Sequence, residues 1–276
     1  MRPRLAVNYS PALISLLLEG RLTIDLFKVP DWGDLIVEAT SHGPAYVHFP
    51  TELGATKLGV DVDRCMELME ETDTNHLNAH LVPSRERFPH LEVGSVDADT
   101  LDEVAEALLV DVAELARAVG SDRVIVENVP YRGPDHGLLR AGVEPDVITR
   151  VVEESGCGLL LDLSHAVLTA DELSIDVWTY LDALPTHALR ELHVSGVRKL
   201  EGRLRDHLPL TEDDVELLRG AMARASAGAW PMPDVVSFEY GGVGPVFDWR
   251  TEPDVLAEQV PLLHAIVKGE RAWVPT

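Results

Sequence analysis

Residues 100–128 read TLDEVAEALLVDVAELARAVGSDRVIVEN, and the two ends of this stretch follow different rules. Leu101, Val104, Leu108, Val112, Leu115 and Val119 return every three or four positions, the spacing that gathers apolar side chains on one helical face. Thr100 and Glu103 stand in capping-box relation at its start, and Gly120 supplies the stop. After Arg123 the rule changes. Val124-Ile125-Val126 is continuously apolar, as in a strand covered on both faces, and it runs directly into Glu127 and Asn128. A helix followed by an apolar strand that ends in an acid is the repeating unit of an α/β fold, with its polar groups at the carboxyl end of the sheet.

Working outward, the same alternation recurs along the chain. Strand-like segments at 5–9, 23–29, 45–49, 76–82, 123–128, 158–163, 190–195 and 235–240 are each followed by a stretch of helical periodicity. Thr211 with Asp214 opens a later helix, Gly156 closes the one before the sixth strand, and Thr251, Pro253 and Asp254 mark the last, which carries Val255, Leu262, Leu263 and Ile266. About eight such units predict an α/β fold, a (β/α)8 TIM barrel, with residues 1–276 as one domain. No internal repeat or low-complexity linker divides the chain. An open doubly wound sheet is disfavoured, because no glycine-rich dinucleotide loop is present. Gly241-Gly242-Val243-Gly244 is the nearest approach, but its helix would begin only near Asp248, and a flexible loop is the better reading.

Composition narrows the function classes. Hydrophobic residues make up 46% of the chain and charged residues 25%, enough apolar surface for a large core. With 47 acidic against 23 basic residues the formal net charge is -24, a field that repels phosphate backbones and anionic lipid. Nucleic acid and membrane partners are therefore not expected. Two cysteines, Cys65 and Cys157, are too few for a disulfide framework or a thiolate zinc site; both read as packing residues, and a reducing, cytoplasmic setting is expected. No apolar run approaches the roughly 20 residues that span a bilayer.

Ligand-type side chains collect at the ends of the predicted strands. Glu127, Asp162, His193 and Glu239 stand on the best-defined strands and are the first candidates for catalytic and metal-binding roles. His48 and His80 follow, with His76 competing with His80 because both lie on one strand. His165 depends on how the chain turns after Asp162, while Asp206 and His207 fall in a segment of unreadable geometry. An acid at the end of a buried apolar strand loses several kcal/mol, roughly, of hydration unless a charge compensates it, and a cation is the simplest compensation. Carboxylates and imidazoles without thiolates suit iron, zinc or manganese. His42, His90, His136, His187 and His264 read as surface residues, and Trp32, Trp178, Trp230, Trp249 and Trp273 as helix-packing or rim residues.

These elements resemble a known family, the multinuclear non-haem iron-dependent oxidases that include the methanobactin-biosynthesis oxidase, within the xylose isomerase-like and endonuclease IV-like TIM barrels. The resemblance is carried, in order, by Val7-Asn8-Tyr9-Ser10, Glu127-Asn128, Leu160-Leu161-Asp162, Glu191-Leu192-His193-Val194-Ser195-Gly196 and Phe238-Glu239. It implies a barrel holding two or three iron ions and using dioxygen to remodel a cysteine in a ribosomally made peptide. It also implies His48, His80, Glu127, Asp162, His193, Asp206, His207 and Glu239 as ligands, with Asn128 beside them and Glu127 able to bridge ions. Two departures stand out. The family's acid, any residue, histidine pattern is here Arg205-Asp206-His207, and Asp162-Leu163-Ser164-His165 is closer to the endonuclease IV and sugar isomerase barrels, so His165 could add a ligand.

The leading expectation is thus an iron-dependent oxidase acting on a peptide thiol. A zinc- or manganese-dependent isomerase, epimerase or hydrolase built on the same cage is the alternative within enzymes, and a non-catalytic binding barrel the alternative outside them. A separately encoded recognition protein is expected to present the small peptide substrate.

Overall fold

The structure, a computed structural model, describes residues 2–59, 61–244 and 250–270. Asp248, Trp249 and Trp273 lie outside the described residues. In chain order the first half comprises β1 (Arg4–Asn8), α1 (Pro11–Leu18), β2 (Leu26–Val29), α2 (Gly33–His42), β3 (Ala45–Val47), β4 (Glu52–Leu53), α3 (Val62–Glu71), β5 (Leu77–Leu81), α4 (Ala98–Val119) and β6 (Val124–Glu127). The second half comprises α5 (Pro145–Ser155), β7 (Gly158–Asp162), α6 (Leu163–Leu173), α7 (Val177–Ala183), β8 (Leu189–Val194), β9 (Gly196–Leu200), β10 (Arg203–Leu208), α8 (Glu212–Ser226), β11 (Val235–Phe238) and α9 (Pro253–Lys268).

Among the described residues nine strands pair in the order β3-β2-β1-β11-β8-β7-β6-β5-β4, all parallel, and curl into a TIM-barrel-like fold. β3 and β4 are consecutive in the chain, so nine strands fill eight positions. Every predicted strand is present; six are shorter, and β1 and β8 are shifted one residue earlier, starting at Arg4 and Leu189. The segment at 23–29 starts only at Leu26, because the Asp25 carboxylate is engaged as acceptor for Leu5 N at 2.6 Å and for Lys268 Nζ at 2.7 Å.

The seam between β3 and β5 lacks a ladder, and side chains replace it. Asn78 accepts from Phe49 N at 2.7 Å and donates to Phe49 O at 3.0 Å, while Thr74 Oγ1 accepts from Val47 N at 2.8 Å. Both side chains are buried. Thr74→Val keeps the volume but leaves the Val47 N–H unsatisfied, so urea unfolding should show a loss of about 1–2 kcal/mol.

Strand side chains alternate between two environments. Leu5 and Val7 belong to the large cluster shared with Leu13, Leu16, Leu256 and Leu263 of the surrounding helices, whereas Ala6, Leu26, Tyr46 and Val235 form a separate group inside the barrel. Two residues further along, the same inward alternation delivers Asn8, Lys28 and His48. The barrel interior is thus apolar below and polar at the carboxyl-end mouth.

Helix starts corrected one expectation. α4 begins at Ala98, capped by Asp97 Oδ1 accepting from Thr100 N at 2.9 Å. Thr100 therefore sits one turn inside, and Glu103 meets His90 Nε2 at 3.0 Å in place of closing a capping box. The Thr211 and Asp214 box is formed, and Gly120 and Gly156 do end α4 and α5. His42, His90, His136 and His187 are exposed, His264 is half-buried, and Cys65 and Cys157 are free and buried. No helix among the described residues is long and apolar enough to cross a membrane.

Candidate metal centre

Each of the eight barrel positions sends one polar side chain into the mouth: Asn8, Lys28, His48, His80, Glu127, Asp162, His193 and Glu239. Parallel pairing sets His80 beside Glu127 and Asp162 beside His193 in register. His76 stands at the opposite end of the His80 strand, near Glu191, Asp234 and Arg190, and takes no part.

Three groups of converging ligand atoms result: His48, His80 and Glu127; Glu127, Asp162 and His193; and His165, Asp206 and His207. Glu127 is shared by the first two. Its Oε2 lies 3.2 Å from His80 Nε2 and 3.5 Å from His48 Nε2, and the two imidazole nitrogens are 3.2 Å apart. The His80 proton is accounted for, because Nδ1 donates to Thr51 O at 3.0 Å. A lone pair therefore faces a carboxylate oxygen that is buried and has no hydrogen-bond partner. Acceptor against acceptor at a buried carboxylate calls for a cation between them, or for a proton while no cation is bound.

The other imidazoles are aimed in the same way. His165 Nδ1 donates to Asn128 O at 2.8 Å and His207 Nδ1 to Glu239 O at 3.0 Å, so both present Nε2. His193 is reversed: its Nε2 donates to Glu191 Oε1 at 2.7 Å, which also accepts from Tyr46 Oη at 2.8 Å, and Nδ1 therefore carries the lone pair. Backing of an imidazole by a carbonyl or carboxylate fixes its tautomer and raises its basicity toward metal ions. Asn128 serves a positioning role: its amide accepts from Asp162 N at 2.8 Å and donates to Asp162 O at 2.9 Å. Asp162 in turn caps α6 through Oδ1, accepting from His165 N at 2.8 Å.

Asp206 and His207 are neighbours in sequence and would face opposite ways in a regular strand. The β9–β10 hairpin is irregular between Arg205 and Leu208, and His207 is left-handed at φ 56°. This bulge turns both side chains to the site, so the contiguous pair does what an acid and a histidine two apart would do on an even strand. Arg132 Nη2 donates to Asp206 Oδ2 at 3.0 Å and holds the hairpin down.

Electrostatics keep the imidazoles in their ligand-competent form, while the Glu127 carboxyl must give up a proton to an incoming cation. Burial holds His48, His80 and His193 below the ordinary imidazole range and His207 down at about 4, so all four are neutral at pH 7. Burial pushes Glu127 up to about 8. Asp162 and Asp206 stay below the usual carboxylate range despite burial, because the histidines around them, charged in the acid range where a carboxyl titrates, outweigh it together with His165 N–H on Asp162 and Arg132 on Asp206. Burial also lowers Lys28 to about 8. Lys28, Glu191 and Tyr46 were not anticipated as members of the site. A lysine inside the otherwise apolar Leu26-Phe27-Lys28-Val29, and Glu191 two residues before His193 on the same strand face, were the available signals.

These groups open into a cavity of about 460 Å³ whose outer wall includes Pro30, Trp32, Val129, Pro130 and Val243. Buried acids and neutral imidazoles without thiolates fit divalent iron, zinc or manganese.

Comparison with known proteins places the chain. Among solved structures, a D-tagatose 3-epimerase-like protein superposes with a TM-score of 0.58 at 14% identity over 96% of this chain and 97% of that one. The xylose isomerase-like barrel of a fusion with 4-hydroxyphenylpyruvate dioxygenase gives 0.60 at 15% identity, over 97% of this chain and 43% of that one. At such identities these share the fold. A UPF0276 protein of Caulobacter vibrioides is 39% identical over 78 residues, which span 27% of this chain and 26% of that protein. A UPF0276 protein of Chromobacterium violaceum is 28% identical over 178 residues, 60% of each chain. The family model described as RiPP precursor modification enzyme MbnB/TglH/ChrH matches residues 58–231, which carry His80, Glu127, Asp162, His165, His193, Asp206 and His207. Spanning more than half of the sequence, that match shows that the chain belongs to the MbnB/TglH/ChrH family of RiPP precursor modification enzymes.

Proposed function

We propose that this protein is an iron-dependent oxidase that holds two or three ions at the barrel mouth and uses dioxygen to modify a cysteine of a ribosomally made precursor peptide. The observation that carries the reading is the confrontation of lone pairs at Glu127, His48 and His80, which a bound cation resolves. His48, His80 and Glu127 would hold one ion, and His165, Asp206 and His207 another; a third would fall to Glu127, Asp162 and His193, with Glu239 beside them. Iron supplies one-electron chemistry with dioxygen and tolerates thiolate beside imidazole and carboxylate ligands.

The chain's own residues prepare the site for this. Thr51 O, Asn128 O, Glu239 O and Glu191 Oε1 fix the imidazole tautomers, so no proton must leave a histidine before it binds an ion. The apolar rim of Pro30, Trp32, Val129, Pro130 and Val243 suits an uncharged peptide segment and keeps bulk water from the thiol. The acidic surface favours a basic or neutral peptide. A separate recognition protein presenting that peptide is part of the proposal, and tight binding of the isolated enzyme to its precursor would refute that part.

Protein purified without oxygen should contain iron, and addition of a cysteine-containing precursor peptide should trigger dioxygen uptake with a change in peptide mass. Zinc or manganese as the resident metal, with no dioxygen uptake, would instead support an isomerase or hydrolase on the same cage. A metal-free protein that binds the peptide unchanged would support the non-catalytic reading.

A further inference from the structure

Of the eight side chains that point into the mouth, one is itself a cation. Lys28 Nζ contacts Glu239 Oε1 and lies 3.5 Å from His193 Nδ1, and both the lysine and the glutamate are buried. His193 Nδ1 and Glu239 Oε1 are only 2.9 Å apart. The His193 proton is on Nε2, spent on Glu191, so Nδ1 and the carboxylate are two acceptors in contact. This is the same confrontation found at Glu127 and His80, but here an ammonium group already resolves it. Glu239 belongs to none of the three ligand groups, whereas Glu127 and His48, which no ammonium contacts, include the atoms that lack partners.

We propose that Lys28 takes the place of a metal ion at the corner formed by Glu239 and His193, so that this chain holds two ions, one at His48, His80 and Glu127 and one at His165, Asp206 and His207. The inference rests on the metal-centre reading above and settles its open count. An ammonium and a divalent cation cannot share one carboxylate and one imidazole at close range, because like charges at about 4 Å repel by several kcal/mol, roughly, at a partly buried site. The lysine thereby supplies a fixed positive charge next to the remaining ions. It leaves the His193 corner closed to a third.

The test is metal stoichiometry, measured by plasma emission on protein loaded with excess ferrous iron without oxygen and then desalted. Wild type should retain two ions per chain. Lys28→Met, close in length but uncharged, should rise to three, because Glu127, Asp162, His193 and Glu239 become available together. Glu239→Gln, which addresses the same corner without touching either occupied group, should stay at two. Three ions in wild type, no rise in a folded Lys28→Met, or a fall to one in Glu239→Gln would each overturn the role of Lys28 while leaving the metal centre standing. Absence of bound iron in wild type and all variants would overturn the metal-centre reading itself, and this inference with it.

Discussion

Glu127→Gln is expected to reduce bound metal to at most one ion per chain. Two of the three ligand groups contain Glu127, and only His165, Asp206 and His207 do without it. Glutamine keeps the shape, but it replaces a carboxylate oxygen 3.2 Å from His80 Nε2 with an amide of no charge. Partners that merely orient ligands cost about 10–100-fold in affinity or activity when lost, so a direct ligand should cost about 100-fold or more in turnover of the precursor peptide. Metal analysis and dioxygen uptake, with circular dichroism to confirm the fold, check this; a variant with full metal content would show that Glu127 is not a ligand. The metal-free proteins should also differ in pH dependence. In wild type the folded carboxyl keeps its proton up to about 8, whereas the unfolded one loses it near 4.5. The unfolded state then binds fewer protons across that window, and stability falls as pH rises through it. Glu127→Gln lacks this part of the slope, which urea titrations at pH 5 and pH 8 would reveal.

How far the sequence discloses such a site depends on what each residue's neighbours in the chain can say about it. Val124-Ile125-Val126 and Leu159-Leu160-Leu161 announce strands because parallel barrels bury both strand faces, and Glu127 and Asp162 then follow at the mouth by position alone. His76 and His80 are harder, since they share a strand face; only the strand's direction separates the mouth from the base. Lys28 gave a weaker signal still. A lysine next to Val29 and Pro30 reads as a strand end reaching solvent, and its burial follows from Glu239 and His193, more than 160 positions away. The cap of α4 is hidden in the sequence because Thr100 and Glu103 fit a local rule that Asp97, three residues before Thr100, satisfies first. Asp206 and His207 can be named as candidates from the sequence but not placed, because nothing in Arg205-Asp206-His207 says that the backbone turns left-handed at His207.

The hairpin that carries this turn closes on Gly196, and Gly196→Ala should open it. Gly196 pairs with Leu208 at the base of β9 and β10, and a methyl group there would overlap the Pro209 carbonyl and the Leu208 oxygen. These are backbone atoms, so no rotamer change can relieve the clash; the hairpin base must open. Overpacking of this kind costs about 3 kcal/mol where the backbone has to yield. At this chain length that corresponds to a fall in Tm of roughly 6–12 °C. The loss should extend beyond stability. Asp206 and His207 sit two and one residues from the forced pair, and His207 is held by Ser195 Oγ at 2.9 Å and Glu239 O at 3.0 Å. Moving Leu208 outward breaks those contacts and separates the pair from His165, while His48, His80 and Glu127 on the opposite strands are undisturbed. Gly196→Ala should therefore lose one ion and keep the other, the complement of Glu127→Gln. Gly94→Ala, where an added methyl meets nothing within 4 Å, is the control for a neutral glycine replacement. A Gly196→Ala protein that melts with wild type and binds its full metal would show that the hairpin is not what brings Asp206 and His207 to the mouth.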